Sequence, residues 1–454
     1  MVKFSINDVA KAVGGTLCNI DGTKEILSVI TDSRTVEIGA LFVALKGEIF
    51  DGHTFAEKAV ESGALCVLSH EDLGAIPHIR VKDTKYALLD LAKWYLELFD
   101  VPVIGITGSA GKTTTKDMIA AVLSKKYTVV KTEGNFNNEV GLPLTVFRID
   151  KSTEIAVLEM GMNHFGEIHN LSRVGTPEVC IITNIGDAHI GNLGGKREGI
   201  LKAKSEIFDF ADESAVAILN GDDVLLNKIS PRVAKILYFG TDESAFVSFK
   251  KLEDKGVMGS VWRIKADGEF FDITIPIPGD YLAYNAAVAI SVGKHYGVAN
   301  DNIAAAFDSF TPSKNRMNIF ESLGATIIND VYNASPPSMR AMIDSMAGLK
   351  GRKICVLGDM LELGEKTLAY HEEVGGYAGA AGVDILFTHG EFSKSYERGF
   401  LEKAAGKKAL SFDELDGLIK ELKAVIKPGD TVLIKASRGM KFERIIKILE
   451  ELKR

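Results

Sequence analysis

Short apolar runs alternate along the chain with polar turns and with stretches of helical periodicity. Residues 101–106 read as a buried strand; a small-residue turn and a helical pattern (Met118, Ile119, Val122, Leu123) follow. Further runs at 128–130, 155–158, 179–183 and 215–219 read as strands, most with a helix behind them. That alternation predicts a mainly parallel sheet with its ligand site at the carboxyl ends of the strands. Residues 246–277 alternate with few helix signals and read as strands packed on the domain edge.

The flanks read as smaller α/β units. In residues 1–98, Ser5 caps a helix at 6–13 that Gly14-Gly15 ends. Strands are expected at 26–30, 41–45 and 64–68, with a helix at 55–62. Beyond Thr311-Pro312-Ser313, strands at 326–329, 353–357, 385–388 and 431–434 alternate with helices and end in an amphipathic one at 442–452. The fold class is α/β in three domains: a small N-terminal unit (1–98), a central mainly parallel one (99–311) and a C-terminal doubly wound, Rossmann-like one (312–454).

Composition adds exclusions. The 454 residues are 46% hydrophobic and 25% charged, as in globular chains. A net charge of −8 gives no nucleic-acid signature, so anions must be met by local cations or backbone N–H groups. The first residues have no apolar signal core and no run reaches membrane-spanning length, which implies a cytoplasmic protein without membrane insertion. Cys18, Cys66, Cys180 and Cys355 are far apart and read as reduced, buried thiols.

The chemistry centres on Thr107-Gly108-Ser109-Ala110-Gly111-Lys112-Thr113-Thr114-Thr115, between strand and helix. Glycines let backbone N–H groups crowd around phosphate, and the helix N-terminus adds its dipole. In a phosphate loop, Lys112 reaches the β- and γ-phosphates and Thr113 holds Mg2+. Ile106 stands where the general Walker spelling has glycine. Three other polar stretches end predicted strands: 132–141, rich in amides and glycines; Glu159-Met160-Gly161; and 183–189, ending in His189. Glu159 suits Mg2+, and no His/Cys set has zinc spacing. On pattern alone Lys202 and Lys204 read as a solvated helix face. The loops Thr31-Asp32-Ser33-Arg34 and 46–53 suit either an anionic ligand or ordinary turns.

Together these stretches resemble the Mur ligases, ATP-dependent amide-forming enzymes of peptidoglycan synthesis. The resemblance rests on the phosphate loop, Gly134-Asn135-Phe136-Asn137-Asn138-Glu139, Glu159-Met160-Gly161-Met162-Asn163, Leu357-Gly358-Asp359-Met360-Leu361-Glu362-Leu363-Gly364 and Lys435-Ala436-Ser437-Arg438-Gly439-Met440-Lys441. It implies an N-terminal UDP-sugar-binding domain, using Ser33, Arg34, Lys46 and Gly47, and a central ATPase domain. It implies ATP contacts from Gly108, Ser109, Ala110, Gly111, Lys112, Thr113, Thr114, Asn285 (adenine), Arg316 (γ-phosphate), Asp330 (ribose) and Asn333. Mg2+ would be served by Thr113, Glu159, His189 and a carbamylated Lys204; the catalytic set is Lys112, Glu159, His189, Lys204 and Arg316. The expected reaction joins D-alanyl-D-alanine to UDP-N-acetylmuramoyl-tripeptide through an acyl phosphate, in a monomer. A sibling ligase adding a single amino acid, and a phosphate-loop kinase or switch protein, are the alternatives.

Overall fold

A computed structural model describes residues 2–47 and 50–452. Glu48 and Ile49, in the polar loop expected at 46–53, lie outside the described residues.

Three main sheets follow one another along the chain. The first has the order Thr16–Cys18, His78–Arg80, Cys66–Ser69, Ala40–Val43, Ser28–Ile30, with only the first pairing antiparallel. The single strand expected at 26–30 is two. Glu25–Ile26 pairs with Phe4–Ser5 in a separate ribbon, while Ser28–Ile30 joins the first sheet. The buried apolar residues are Ile26 and Val29, three apart, which a period of two cannot place on one face. Leu27 between them is exposed, and its N–H goes to Gly39 O at 2.9 Å. The helix Ile6–Val13 starts at Ser5 with a reciprocal Ser5–Asp8 capping box and ends at a left-handed Gly14.

The central sheet has nine strands. Its parallel core runs Lys235–Gly240, Val216–Asn220, Val179–Ile182, Val103–Thr107, Ile155–Glu159, Val129–Lys131. Val247–Asp254 adds to it in parallel, and Ser260–Ala266 and Glu269–Ile275 follow antiparallel at the edge, where the alternation in 246–277 predicts strands. One face is covered by the helices Lys112–Leu123, Tyr281–His295 and Asn300–Asp308. The other packs on Gly141–Val146 and Glu167–Gly175, which also receive Thr84–Leu96. One apolar core therefore runs from the first sheet into the second. Tyr95, fully buried at this junction, donates to Ile149 O at 2.7 Å.

The third sheet runs Asn318–Ser322, Ala325–Asp330, Thr431–Lys435, Lys353–Gly358, Ile385–His389, Lys408–Phe412, parallel after the first pair, with an apolar core on each face. The strap joining it to the central sheet holds two non-glycine residues in the left-handed region, Asn315 (φ 63°) and Met317 (φ 53°). Its two ends are pinned: the Ser313 hydroxyl donates to the Asp117 carboxylate, and Asn315 Oδ1 accepts from Asn329 Nδ2 at 3.1 Å.

The cysteines are free, but only Cys66, Cys180 and Cys355 are buried; Cys18, on a three-residue edge strand, is half-buried and departs from the expectation. No helix among the described residues is long and apolar enough to cross a membrane.

Candidate active site between the central and third sheets

A cavity of about 800 Å³ opens where the carboxyl ends of the central strands face the third sheet. The phosphate loop forms its floor. Gly108 (φ 151°) and Gly111 (φ 81°) use backbone that side chains resist. A Cβ on Gly108 would lie 1.9 Å from Thr183 Oγ1, and one on Gly111 would lie 2.8 Å from Asn285 Oδ1. The segment after the neighbouring strand braces the loop: Asn184 accepts from Ser109 N (3.1 Å, through its carbonyl) and Ala110 N (3.0 Å, through Oδ1). Thr183 Oγ1 donates to Ala110 O at 2.8 Å.

Lys112 Nζ donates to Gly108 O at 2.8 Å. Burial lowers its ammonium pKa; Glu159 counters that and Arg316 adds to it. Thr113, buried on the first helical turn, faces the same cavity with Ser109, Ala110, Gly111 and Thr114. Gly108 stands behind the loop, where its carbonyl receives Lys112.

Glu159 ends its strand fully buried. Oε1 accepts from Asn137 Nδ2 at 2.8 Å, while Oε2 has no hydrogen-bond donor and only Lys116 Nζ at 4.0 Å. A buried carboxylate oxygen left without a donor is costly unless a cation or ligand answers it. His189, in left-handed backbone (φ 61°), has Nδ1 3.1 Å from Glu362 Oε2 but not aligned as a hydrogen bond. Burial, then Lys112 and Lys204, push its pKa down to about 4, so the ring is neutral and offers a lone pair. Lys204 is buried behind the cavity wall on the helix Arg197–Ser205 and makes no ion pair among the described residues. Burial, then Lys112, lower its pKa well below the usual amine range. The reading of Lys204 as a solvated face is thus corrected; helical periodicity carries its side chain inward with Ile200 and Ala203.

The third sheet supplies the opposite wall. Arg316 stacks 3.8 Å from the Tyr332 ring centroid, and Arg438 lies 5.5 Å from the same ring. Asp330 accepts from Lys435, which also donates to Asn333 O at 2.8 Å. Asn285 reaches in from the helix Tyr281–His295, its Nδ2 buried without a partner. Among the described residues, Lys112, Arg316 and Arg438 have no carboxylate within ion-pair distance, so an acidic chain concentrates free cations here.

The first-sheet loops lie outside this cavity. Arg34 is exposed and bidentate on Asp32 (2.9 and 2.6 Å) beside Ser33; Lys46, next to Gly47, pairs with Asp51 at 3.4 Å. Sequence reasoning gave no role to Asn137, Asn184, Tyr332, Lys435, Glu362 or Arg438, all on the cavity wall. Each lay in or beside a stretch already singled out, but which one faces the ligand depends on loop geometry.

A phosphate loop facing a second sheet across a cation-lined cavity defines an ATP-dependent ligase architecture. The chain belongs to the Mur ligase family: the Mur ligase catalytic-domain model matches residues 25–98, the middle-domain model 106–293 and the glutamate ligase domain model 315–438. A relative from Bacillus subtilis, named UDP-N-acetylmuramoyl-tripeptide--D-alanyl-D-alanine ligase, is 41% identical over 99% of both chains. The Escherichia coli protein of that name is 33% identical over 99% of both. Among solved structures, MurF from Acinetobacter baumannii superposes with a TM-score of 0.91 at 30% identity, covering 99% of both chains. MurF ligase from Thermotoga maritima in complex with ADP gives 0.83 at 32% identity, covering 93% of this chain and 97% of that one.

Proposed function

We propose that the chain joins D-alanyl-D-alanine to UDP-N-acetylmuramoyl-tripeptide, giving UDP-MurNAc-pentapeptide, ADP and phosphate in peptidoglycan precursor synthesis. The observation that carries this reading is the meeting of three free cations (Lys112, Arg316, Arg438) with the unanswered Glu159 Oε2 in one cavity, in a chain whose full-length relatives bear that name. In this reading residues 1–98 hold the UDP-sugar through Ser33, Arg34, Lys46 and Gly47, residues 99–311 hold ATP, and residues 312–454 close over it. The cavity is complete within one chain, which supports a working monomer, and its ATP chemistry suits the cytoplasm.

The peptide's terminal carboxylate attacks the γ-phosphorus of ATP; the bond to the β-γ bridging oxygen breaks and an acyl phosphate forms. The amine of the second substrate then attacks the acyl carbon, and phosphate leaves with the electron pair. The chain's task is to gather three anions. Lys112 and Arg316 face the β- and γ-phosphates, the phosphate-loop N–H groups hold the oxygens, and Asn285, Asp330 and Asn333 position the nucleoside. The orphan oxygen of Glu159, the Thr113 hydroxyl and the neutral ring of His189 fit Mg2+, which when bound would screen the phosphate charge. Lys204 is buried, without an ion pair among the described residues, and depressed toward the neutral amine that adds CO₂, so we assign it as the carbamylated lysine; a carbamate resonance in carbon-13-labelled bicarbonate, absent from Lys204→Arg, checks this.

The test of the whole reading is phosphate release with ATP and Mg2+, with mass spectrometry of the product. Release that needs both substrates and yields the pentapeptide is expected, and Lys112→Ala should abolish it with circular dichroism unchanged. Activity only with a single amino acid as acceptor would shift the assignment to a sibling ligase.

A further inference from the structure

Three carboxylates line the cavity. Glu159 is held by Asn137 and Asp330 by Lys435. Glu362 differs: its side chain is largely exposed to the cavity, it makes no hydrogen bond among the described residues, and its Oε2 lies 3.1 Å from His189 Nδ1 without alignment. Its backbone sits at φ 64°, a left-handed conformation that costs a glutamate energy and persists because the loop is anchored on both sides. Met360 N donates to His371 Nε2 at 2.9 Å, Leu361 N donates to Ser437 Oγ at 3.0 Å, and Leu363 is buried. The loop is thus built to present one carboxylate to the cavity.

The hydrogen bond to Ser437 ties this loop to the segment carrying Arg438, which is exposed and free of any carboxylate among the described residues. The two loops touch here, since a Cβ on Gly439 would lie 2.9 Å from Leu361 Cδ1. An unanswered anion and an unanswered cation, on adjoining loops of the wall opposite the phosphate loop, match a small molecule carrying both charges. The nucleotide's phosphates are repelled by a free carboxylate, and its ribose already has Asp330 in the ligase reading.

We propose that Glu362 and Arg438 are the receptor for the second substrate, a zwitterionic amino acid or short peptide. Glu362 takes its ammonium group and Arg438 its terminal carboxylate. This rests on the ligase reading above and adds to it the residues that choose the acceptor. Glu362 holds the acceptor's ammonium in the cavity until it gives a proton to solvent and the freed amine attacks the acyl carbon, while Arg438 keeps the far end of the acceptor from sliding toward Arg316.

The experiment compares three acceptors with full-length protein, ATP, Mg2+ and UDP-MurNAc-tripeptide: D-alanyl-D-alanine, its C-terminal amide, and hydroxylamine, which is uncharged at neutral pH. In Glu362→Gln, KM for the dipeptide should rise about tenfold or more, while hydroxamate formation stays within about twofold, because hydroxylamine brings no ammonium. Wild type should prefer the dipeptide over its amide by about tenfold, and Arg438→Gln should erase that preference. An equal fall in dipeptide ligation and hydroxamate formation in Glu362→Gln would mean that Glu362 serves His189 instead, and overturns the proposal. So would an unchanged dipeptide KM in Glu362→Gln, or an undiminished preference in Arg438→Gln. If wild type turns over none of the three acceptors, the ligase reading fails rather than the receptor.

Discussion

Gly108 shows how little room the phosphate loop leaves for its own atoms. Its φ of 151° and a virtual Cβ 1.9 Å from Thr183 Oγ1 mean that an alanine must push on the residue that braces Ala110 O. Gly108→Ala should cost about 2 kcal/mol of stability, through overpacking and backbone strain. It should cost ATP affinity as well, because the carbonyl that holds Lys112 moves with it. Urea unfolding and ATP titration check the two effects separately; a variant as stable and as tight-binding as wild type would show that the loop shape is not set here. This site was partly legible in the sequence. The phosphate loop, Glu159 and His189 each end a predicted strand, and strand ends are where such sheets bind ligands. Lys204 was not legible from pattern, since a lysine on a short helix reads as solvated until its neighbours in space are known. Glu362 lies in a legible motif, but its orientation comes from a left-handed backbone that its residue type does not announce.

At the level of elements, the strap at 311–317 sets how the phosphate-loop helix and Arg316 stand toward each other. Asp117 is the joint: it lies on the helix Lys112–Leu123, buried, and takes hydrogen bonds from Lys131 Nζ (2.6 Å) and from Ser313 on the strap. Burial pushes its carboxyl pKa up, but Lys116, Lys131 and Ser313 outweigh burial and hold it below the ordinary value. A carboxylate depressed on folding adds stability that is present above the unfolded value and lost as pH falls through the folded one. Asp117→Asn should therefore cost about 1–3 kcal/mol at neutral pH. The gap to wild type should stay full above about pH 4 and close below it. Denaturation midpoints of both proteins across that range are the measurement, and a gap that stays constant into acid would deny the charge its role. Length alone does not make an element legible: the helix Thr84–Leu96 and the strand Lys235–Gly240 are absent from the sequence expectations despite thirteen and six residues. Phe4–Ser5, Thr16–Cys18 and Glu25–Ile26 are two or three residues each, too few to show a period. Lys408–Phe412 is an edge strand with no residue fully buried, so hydrophobicity does not mark it.

Across the whole molecule, the three sheets are joined unequally. The first and central sheets share one apolar core through Thr84–Leu96, with Tyr95 on Ile149 O, Arg173 on Asp90 at 2.7 Å and Lys85 on Glu139. The third sheet keeps its own two cores, and among the described hydrophobic residues before the strap only Val257 and Tyr281 pack against them. The sequence marked the strap by Thr311-Pro312-Ser313 but said nothing of this difference, because a shared core depends on which helix faces which sheet. Cooperative unfolding follows continuous cores, so two transitions are expected in calorimetry, one for the first two sheets together and one for the third. ADP, gripped from both sides of the cavity, should raise both. At a hundredfold excess over Kd the stabilisation is about 2.7 kcal/mol for the unit that binds it. The third-sheet transition should move with the other only if Asp330 and Asn333 hold the nucleoside across the gap. Asp330→Ala is the control: it should leave the central transition responsive to ADP and uncouple the third. A single transition in ligand-free protein would mean instead that the strap and Tyr281 couple the sheets more tightly than their separate cores imply, and domain closure would then be a small motion within one folding unit.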